Sequence, residues 1–332
     1  MSIDYLKNDI KYKKFKNVYL LYGPEIYLKE YYLNILSKET INKEMEVFNK
    51  IKLEGNVLES DIIDICNTYP IMSEKKLVII KNSTIFKAKS KDRNIDKLKD
   101  FIKDLPEYII IVFYEEAIDN RSAIVKSIKK KGLVVEFNYR EPKELVKWIT
   151  KAFKNYGKKI EYDIAQMLIS YCEPGMNEIL NEISKITLYI DKRQEVCAED
   201  IELICIKSIK SRIFDLVDAV AVKDIKTSFR LLNDMINVGE QAQKIFILIS
   251  KQFINMLKIK QLSNNGLRID EISQKIKMNP YIIKKIFKQI EKFKIENLEN
   301  SIKFFEEMDI MIKSGKIKDR TALELIVTNM SK

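Results

Sequence analysis

The chain has 332 residues, 46% of them hydrophobic and 32% charged, which suits two or three packed domains and excludes a disordered protein. It contains no histidine, so Ser-His-Asp and Cys-His catalysis, His-ligated zinc and any imidazole base are all removed. Lys and Arg number 59 against 48 Asp and Glu, a net charge of +11.

The first 140 residues alternate strand and helix. Val18-Tyr19-Leu20-Leu21-Tyr22 is a short apolar run stopped by Gly23-Pro24, and a helical pattern follows to about Ser37. A second strand is expected over Glu46 to Lys50 and a helix over Asn56 to Asn67, with Leu58, Ile62, Ile63 and Ile65 apolar. Leu77 to Ile80, Ile109 to Phe113 and Leu133 to Phe137 read as further strands, separated by helices over Ile95 to Lys103 and near Arg121 to Lys130. Their β-branched runs are continuous rather than alternating. That pattern marks strands covered on both faces, as in a parallel sheet between helices.

From Pro142 onward strand signals vanish. Helices are expected over Pro142 to Tyr156, over Tyr162 to Tyr171 and from Met176, the last with Ile179, Leu180, Ile183 and Ile186 on one stripe. Residues 211–332 read as helical throughout. Their apolar faces include Ile213, Leu216, Val217 and Val220, then Ile245, Leu248, Ile249, Phe253, Met256 and Leu257. Asn279-Pro280 is an N-cap with proline at the first helical position. Ile282, Ile283, Ile286, Phe287 and Ile290 continue that face, and Leu298, Ile302, Phe305, Met308, Leu323, Leu325 and Ile326 supply the last helices. With 8 Gly and 6 Pro in the chain, loops are expected to be short.

The cationic excess lies at both ends: 26 basic against 21 acidic residues in 1–140, 11 against 12 in 141–210, and 22 against 15 in 211–332. This fits a protein working beside a polyanion, and equally a solvated lysine-rich surface. Only eight of the cations are Arg, which speaks against reading base edges. The longest apolar run, Tyr108 to Tyr114, falls far short of the ~20 residues of a membrane span. The start, Met1-Ser2-Ile3-Asp4, lacks the apolar core of a signal peptide. Cys66, Cys172, Cys197 and Cys205 form no C-x-x-C pair and read as reduced packing residues of a cytoplasmic chain.

Three segments invite a chemical test. In Gly23-Pro24-Glu25-Ile26-Tyr27-Leu28-Lys29-Glu30, Gly23 and Lys29 fall in register with the phosphate loop G-x-x-x-x-G-K-[ST]. Leu28 replaces its second glycine, Glu30 its magnesium-binding hydroxyl, and Pro24 removes an N–H donor, so tight nucleotide binding is not expected. Glu115-Glu116 has the look of an acidic metal site at a strand end, against which stands the simpler expectation of a solvated turn. Ile269 to Tyr281 and the helix after it resemble a helix-turn-helix, with Lys284, Lys285, Lys288 and Gln289 facing a duplex. The long helical context favours packing instead.

A fourth segment has the character of a binding element. Asn67-Thr68-Tyr69-Pro70-Ile71-Met72-Ser73-Glu74-Lys75-Lys76 collects Tyr69, Pro70, Ile71 and Met72 in a loop before the third strand. Such residues either fold under the sheet or form an exposed wedge for a partner's apolar pocket.

Several of these segments, in this order and spacing, carry a resemblance over about 320 residues. They are Val18 to Glu25, Pro70 to Val78, Lys130 to Phe137, Ile213 to Val220 and Gly239 to Phe253. The chain resembles the delta subunit family of the bacterial DNA polymerase III clamp loader. The resemblance implies an α/β plus all-α fold: a degenerate AAA+ domain with a five-stranded parallel sheet over 1–140, a helical lid over 141–210 and a helical collar over 211–332. It implies that the first domain binds the beta sliding clamp, and that the collar joins tau or gamma and delta-prime subunits in a hetero-pentameric ring. Primer-template DNA would be reached through that complex.

The clamp-binding residues implied are Asn67, Tyr69, Pro70, Ile71 and Met72. No catalytic residue, metal or cofactor is implied, because ATP is hydrolysed by neighbouring subunits of a DNA-directed DNA polymerase holoenzyme. Met72 departs from the aromatic common at its position. Methionine fills irregular pockets but is less rigid, so a lower clamp affinity is expected. Arg121 lies in Asn120-Arg121-Ser122 rather than in the Ser-Arg-Cys finger of delta-prime. Readings as an active AAA+ ATPase or as a helix-turn-helix DNA-binding regulator stand as the alternatives.

Overall fold

Five strands form one parallel sheet, in the spatial order Lys50–Glu54, Lys76–Lys81, Ile109–Glu115, Val18–Tyr22 and Leu133–Glu136. The computed structural model describes residues 3–86, 95–276, 278 and 280–330. Two compact units are distinguished, Met1–Arg140 with Gly175–Asn177, and Glu141–Pro174 with Glu178–Lys332.

The first unit runs α1 (Ile3–Lys11), β1 (Val18–Tyr22), α2 (Ile26–Thr40), a 3-10 turn at Lys43–Met45, α3 (Glu46–Asn49), β2 (Lys50–Glu54) and α4 (Glu59–Asn67). It continues with β3 (Lys76–Lys81), α5 (Ile95–Lys103), β4 (Ile109–Glu115), α6 (Ala123–Lys131) and β5 (Leu133–Glu136). Alternate residues of each central strand enter opposite cores, as the two-residue period requires. Val18, Leu20, Val78, Ile80, Ile111 and Phe113 meet Ile62 and Cys66 of α4, Leu98 of α5 and Ile124 and Ile128 of α6. Tyr19, Leu21, Leu77, Ile79 and Val112 meet Leu6 of α1 and Leu33 and Leu36 of α2.

The strand expected over Glu46 to Lys50 is instead a turn of helix, and β2 begins where that strand was to end. Lys50-Ile51-Lys52-Leu53-Glu54 alternates polar and apolar residues, which suits an edge strand with one wet face. The helix expected from Asn56 starts at Glu59, because Leu58 is held in an extended N-cap conformation, and Leu58 is exposed. Helix α1 escaped the sequence pattern; of its apolar residues only Leu6 is fully buried.

The second unit opens with α7 (Pro142–Asn155), β6 (Lys159–Ile160), α8 (Tyr162–Tyr171), α9 (Met176–Ile190), β7 (Glu195–Val196) and α10 (Ala198–Ile204). A two-stranded parallel ladder therefore exists where no strand was expected. Two residues per strand are too few to show a period. One core gathers Val146, Ile149, Phe153, Ile183, Ile186 and Ile201.

Then follow α11 (Ile209–Ala221), α12 (Ile225–Asn237), α13 (Ala242–Asn264), α14 (Ile269–Ile276), α15 (Pro280–Ile290), α16 (Ile295–Lys313) and α17 (Asp319–Met330). Their core holds Ile213, Leu216, Ile249, Phe253, Ile286, Phe305 and Leu323. Leu325, read as part of that face, is exposed, and Val327 is buried in its stead. The N-cap expected at Asn279 lies outside the described residues, as does Lys277. Among the described residues, no helix is long and apolar enough to cross a membrane.

Candidate partner-binding loop and the nucleotide position

The loop between α4 and β3 lies at the N-terminal edge of the sheet, and its apolar residues face outward. Tyr69 is 79% exposed, Ile71 52% and Met72 84%; Asn67 is also exposed and Pro70 half-buried. Of the two arrangements open to the sequence, folding under the sheet or exposure as a wedge, the structure has the second. Burying Ile71 and Met72 in a partner would contribute ~1.5–3 kcal/mol each.

Three side chains outside the wedge hold the loop in shape. Asn49, fully buried at the end of α3, donates from Nδ2 to the Ile71 main-chain oxygen at 2.8 Å. Its Oδ1 accepts from the Ile71 N–H at 2.7 Å. Lys76, the first residue of β3, donates from Nζ to the main-chain oxygens of Ile65 at 2.7 Å and Thr68 at 3.3 Å, and to the Thr68 hydroxyl. These carbonyls close the C-terminal turn of α4, where a cation is favoured. Burial holds the Lys76 pKa below its ordinary value. Tyr108 donates from its hydroxyl to the Asn67 main-chain oxygen at 3.2 Å, and its ring lies 5.0 Å from that of Tyr69.

Sequence reasoning missed all three. The available signals were an asparagine just before a strand and a lysine opening the apolar run Leu77 to Ile80. Neither signal names its partner.

At the opposite, C-terminal edge, the Gly23 turn follows β1 beside the ends of β4 and β5, at the carboxyl ends of the strands where other α/β sheets hold phosphates. Here its N–H groups are already taken. Gly23 donates to the Glu116 oxygen at 3.1 Å, Glu25 to the Phe137 oxygen at 2.9 Å, and Tyr27 to the Glu25 carboxylate at 3.2 Å. Burial raises the Glu25 pKa above the usual carboxylate range. The Lys29 ammonium, which a phosphate loop would aim at a nucleotide, is buried. It donates to the Glu115 main-chain oxygen at 2.9 Å and lies 4.3 Å from the Tyr114 ring centre. Desolvation lowers its pKa. These residues do not fit a triphosphate.

Glu115 is not the solvated turn residue expected. It is buried, with Oε1 accepting from the Ser83 N–H at 2.9 Å and the Ser83 hydroxyl at 2.6 Å. Glu116, by contrast, is exposed. Among the described residues there is no group of three Cys, Asp or Glu arranged to hold a metal. Arg121 is exposed and paired with Asp119 at 3.2 Å.

In the helix-turn-helix segment Ile283, Ile286 and Ile290 pack into the core, while Lys284 and Lys288 are exposed. Gln289, the amide offered by its second helix, is buried. It donates to the Phe214 main-chain oxygen and to Asp218, each at 3.1 Å, and accepts from Gln252 at 2.7 Å. The Lys285 ammonium sits 5.6 Å from the Tyr171 ring and 5.2 Å from the Tyr281 ring, and burial lowers its pKa.

Two family models match this chain: "DNA polymerase III, delta subunit" over residues 19–138, and the "DNA polymerase III delta subunit, C-terminal domain" over 210–330. The chain belongs to the DNA polymerase III delta subunit family. This delta-family chain is 27% identical to the DNA polymerase III subunit delta of Bacillus subtilis, covering 95% of its own length and 93% of that relative. It is 21% identical to a probable DNA polymerase III subunit delta of Aquifex aeolicus, over 90% and 86% of the two chains. The solved structure of a Bacillus subtilis DNA clamp loader delta protein is similar at a TM-score of 0.53 and 25% identity, each chain covered to 99%. The delta-family fold is therefore the expected α/β plus all-α arrangement, with a five-stranded parallel sheet followed by a largely helical remainder.

Proposed function

We propose that this chain is the clamp-opening subunit of a clamp loader. It binds the beta sliding clamp through Asn67, Tyr69, Pro70, Ile71 and Met72, and hydrolyses no ATP itself. The observation that carries this reading is the outward presentation of Tyr69, Ile71 and Met72 on a loop tied to the sheet. A wedge that fits the opened form of the clamp interface better than the closed one shifts the population toward opening by that difference in affinity. The domain over 1–140 carries the wedge, residues 141–210 act as the lid, and the collar over 211–332 packs with tau or gamma and delta-prime in a hetero-pentameric ring. Primer-template DNA is met through that assembly, and the chain works in the cytoplasm at the replisome. The filled phosphate position around Lys29 supports a non-catalytic role within the polymerase holoenzyme.

The test is a pull-down with the cognate sliding clamp, comparing wild type with Ile71→Ala/Met72→Ala. The double variant is expected to lose the clamp while still assembling with tau and delta-prime. Clamp binding equal to wild type would remove the wedge.

A further inference from the structure

We infer that Asn49 is the positioning residue of the clamp-binding loop, fixing the conformation in which Ile71 and Met72 are presented; this rests on the reading of that loop given above. Asn49 and Ile71 are distant in sequence but precede neighbouring strands, β2 and β3, whose parallel register pairs Lys50 with Leu77. That pairing brings the end of α3 against the loop.

The Asn49 amide then meets both main-chain groups of Ile71, donating at 2.8 Å and accepting at 2.7 Å, as the backbone of an adjacent strand would. Asparagine suits this place because it carries one donor group and one acceptor at the same reach; aspartate offers only acceptors and alanine neither. The same Nδ2 donates to the Met45 oxygen at 3.2 Å, so the amide is itself oriented by α3.

The next residue, Met72, has φ of +49°, a left-handed backbone that a side-chain-bearing residue adopts only when its surroundings impose it. The side chain with the largest exposure in the wedge therefore stands one residue beyond the anchored peptide unit. Released from Asn49, the loop populates other conformations, and apparent clamp affinity falls by the fraction of chains that remain competent.

The experiment measures clamp affinity by surface plasmon resonance, with the full chain and its cognate clamp, alongside hydrogen–deuterium exchange at the Ile71 amide. Asn49→Ala is expected to weaken clamp binding roughly tenfold, the effect of about one hydrogen bond, and to accelerate exchange at Ile71. Should Asn49→Ala fold poorly, Asn49→Asp keeps the acceptor for the Ile71 N–H but sets a second acceptor against the Ile71 carbonyl, and is expected to lose affinity likewise. A folded Asn49 variant with wild-type clamp affinity, while Ile71→Ala/Met72→Ala loses the clamp, would overturn the positioning role and leave the wedge standing. If the double variant itself binds normally, the wedge and this inference fall together.

Discussion

The Lys29 ammonium donates to the main-chain oxygen of Glu115 at 2.9 Å, fastening α2 to the end of β4. A lysine in register with a phosphate-binding lysine is thus spent on the protein's own carbonyl. The surrounding N–H groups of Gly23 and Glu25 are turned to carbonyls as well. The same edge of the sheet that serves nucleotides elsewhere serves cohesion here.

Lys29→Met removes this tie and leaves the Glu115 oxygen without its donor. The variant is expected to lose about 1–3 kcal/mol of stability in urea denaturation. Millimolar ATP should shift the Tm of neither protein in scanning fluorimetry. A nucleotide-dependent rise in the wild type that Lys29→Met abolishes would contradict the filled-site geometry.

Gly23 has φ of +119°, and a Cβ added there would lie 2.4 Å from the Phe137 main-chain oxygen. Relief would require β1 and the end of β5 to separate. Gly23→Ala is therefore expected to destabilise by about 3 kcal/mol or more, measured by chemical denaturation. The requirement for glycine at this turn comes from its positive φ together with strand packing.

Gln289→Leu removes the side-chain hydrogen bonds to the Phe214 carbonyl and Asp218 and leaves the Gln252 amide without its acceptor inside the helical core. A loss of about 1–3 kcal/mol is expected. Binding to duplex DNA of any sequence, followed by fluorescence anisotropy, should be unchanged. A sequence-dependent loss of DNA binding without loss of stability would restore the helix-turn-helix reading.

Burial pushes the Cys66 thiol from 9.0 up to about 12. The folded chain therefore keeps a proton that the unfolded chain releases. The contribution to stability is fully present below pH 9 and is lost as pH rises from there toward 12. At pH 10 that loss is on the order of 1 kcal/mol. Denaturant titrations at pH 8 and pH 10 should show wild type losing about that much more than Cys66→Ala. An equal drop in both would mean that the thiol does not titrate as buried.

The parallel sheet was legible because strands buried on both faces must be apolar at successive positions, and β1, Leu77 to Ile80 of β3 and Ile109 to Tyr114 of β4 are. The helices of the second unit were legible from their stripes, and the phosphate loop from what Leu28 and Glu30 cannot do. Such features are local: a short window of residue types already carries the physical requirement. The exposure of Tyr69, Ile71 and Met72 was not local, since an apolar loop can be covered or bare with the same letters.

Tertiary structure decided the rest. The pairing of β2 with β3 set Asn49 against Ile71, and the burial of Glu115 beside Ser83 replaced a solvated turn. Packing of α15 against α11 and α13 turned Gln289 inward. A polar side chain's partner is chosen by which chain segments are brought alongside it, and parallel pairing joins segments far apart in sequence. Residue pattern therefore reports burial along periodic strands and helices, while only the fold reports whether a loop is covered and which partner each buried polar group meets.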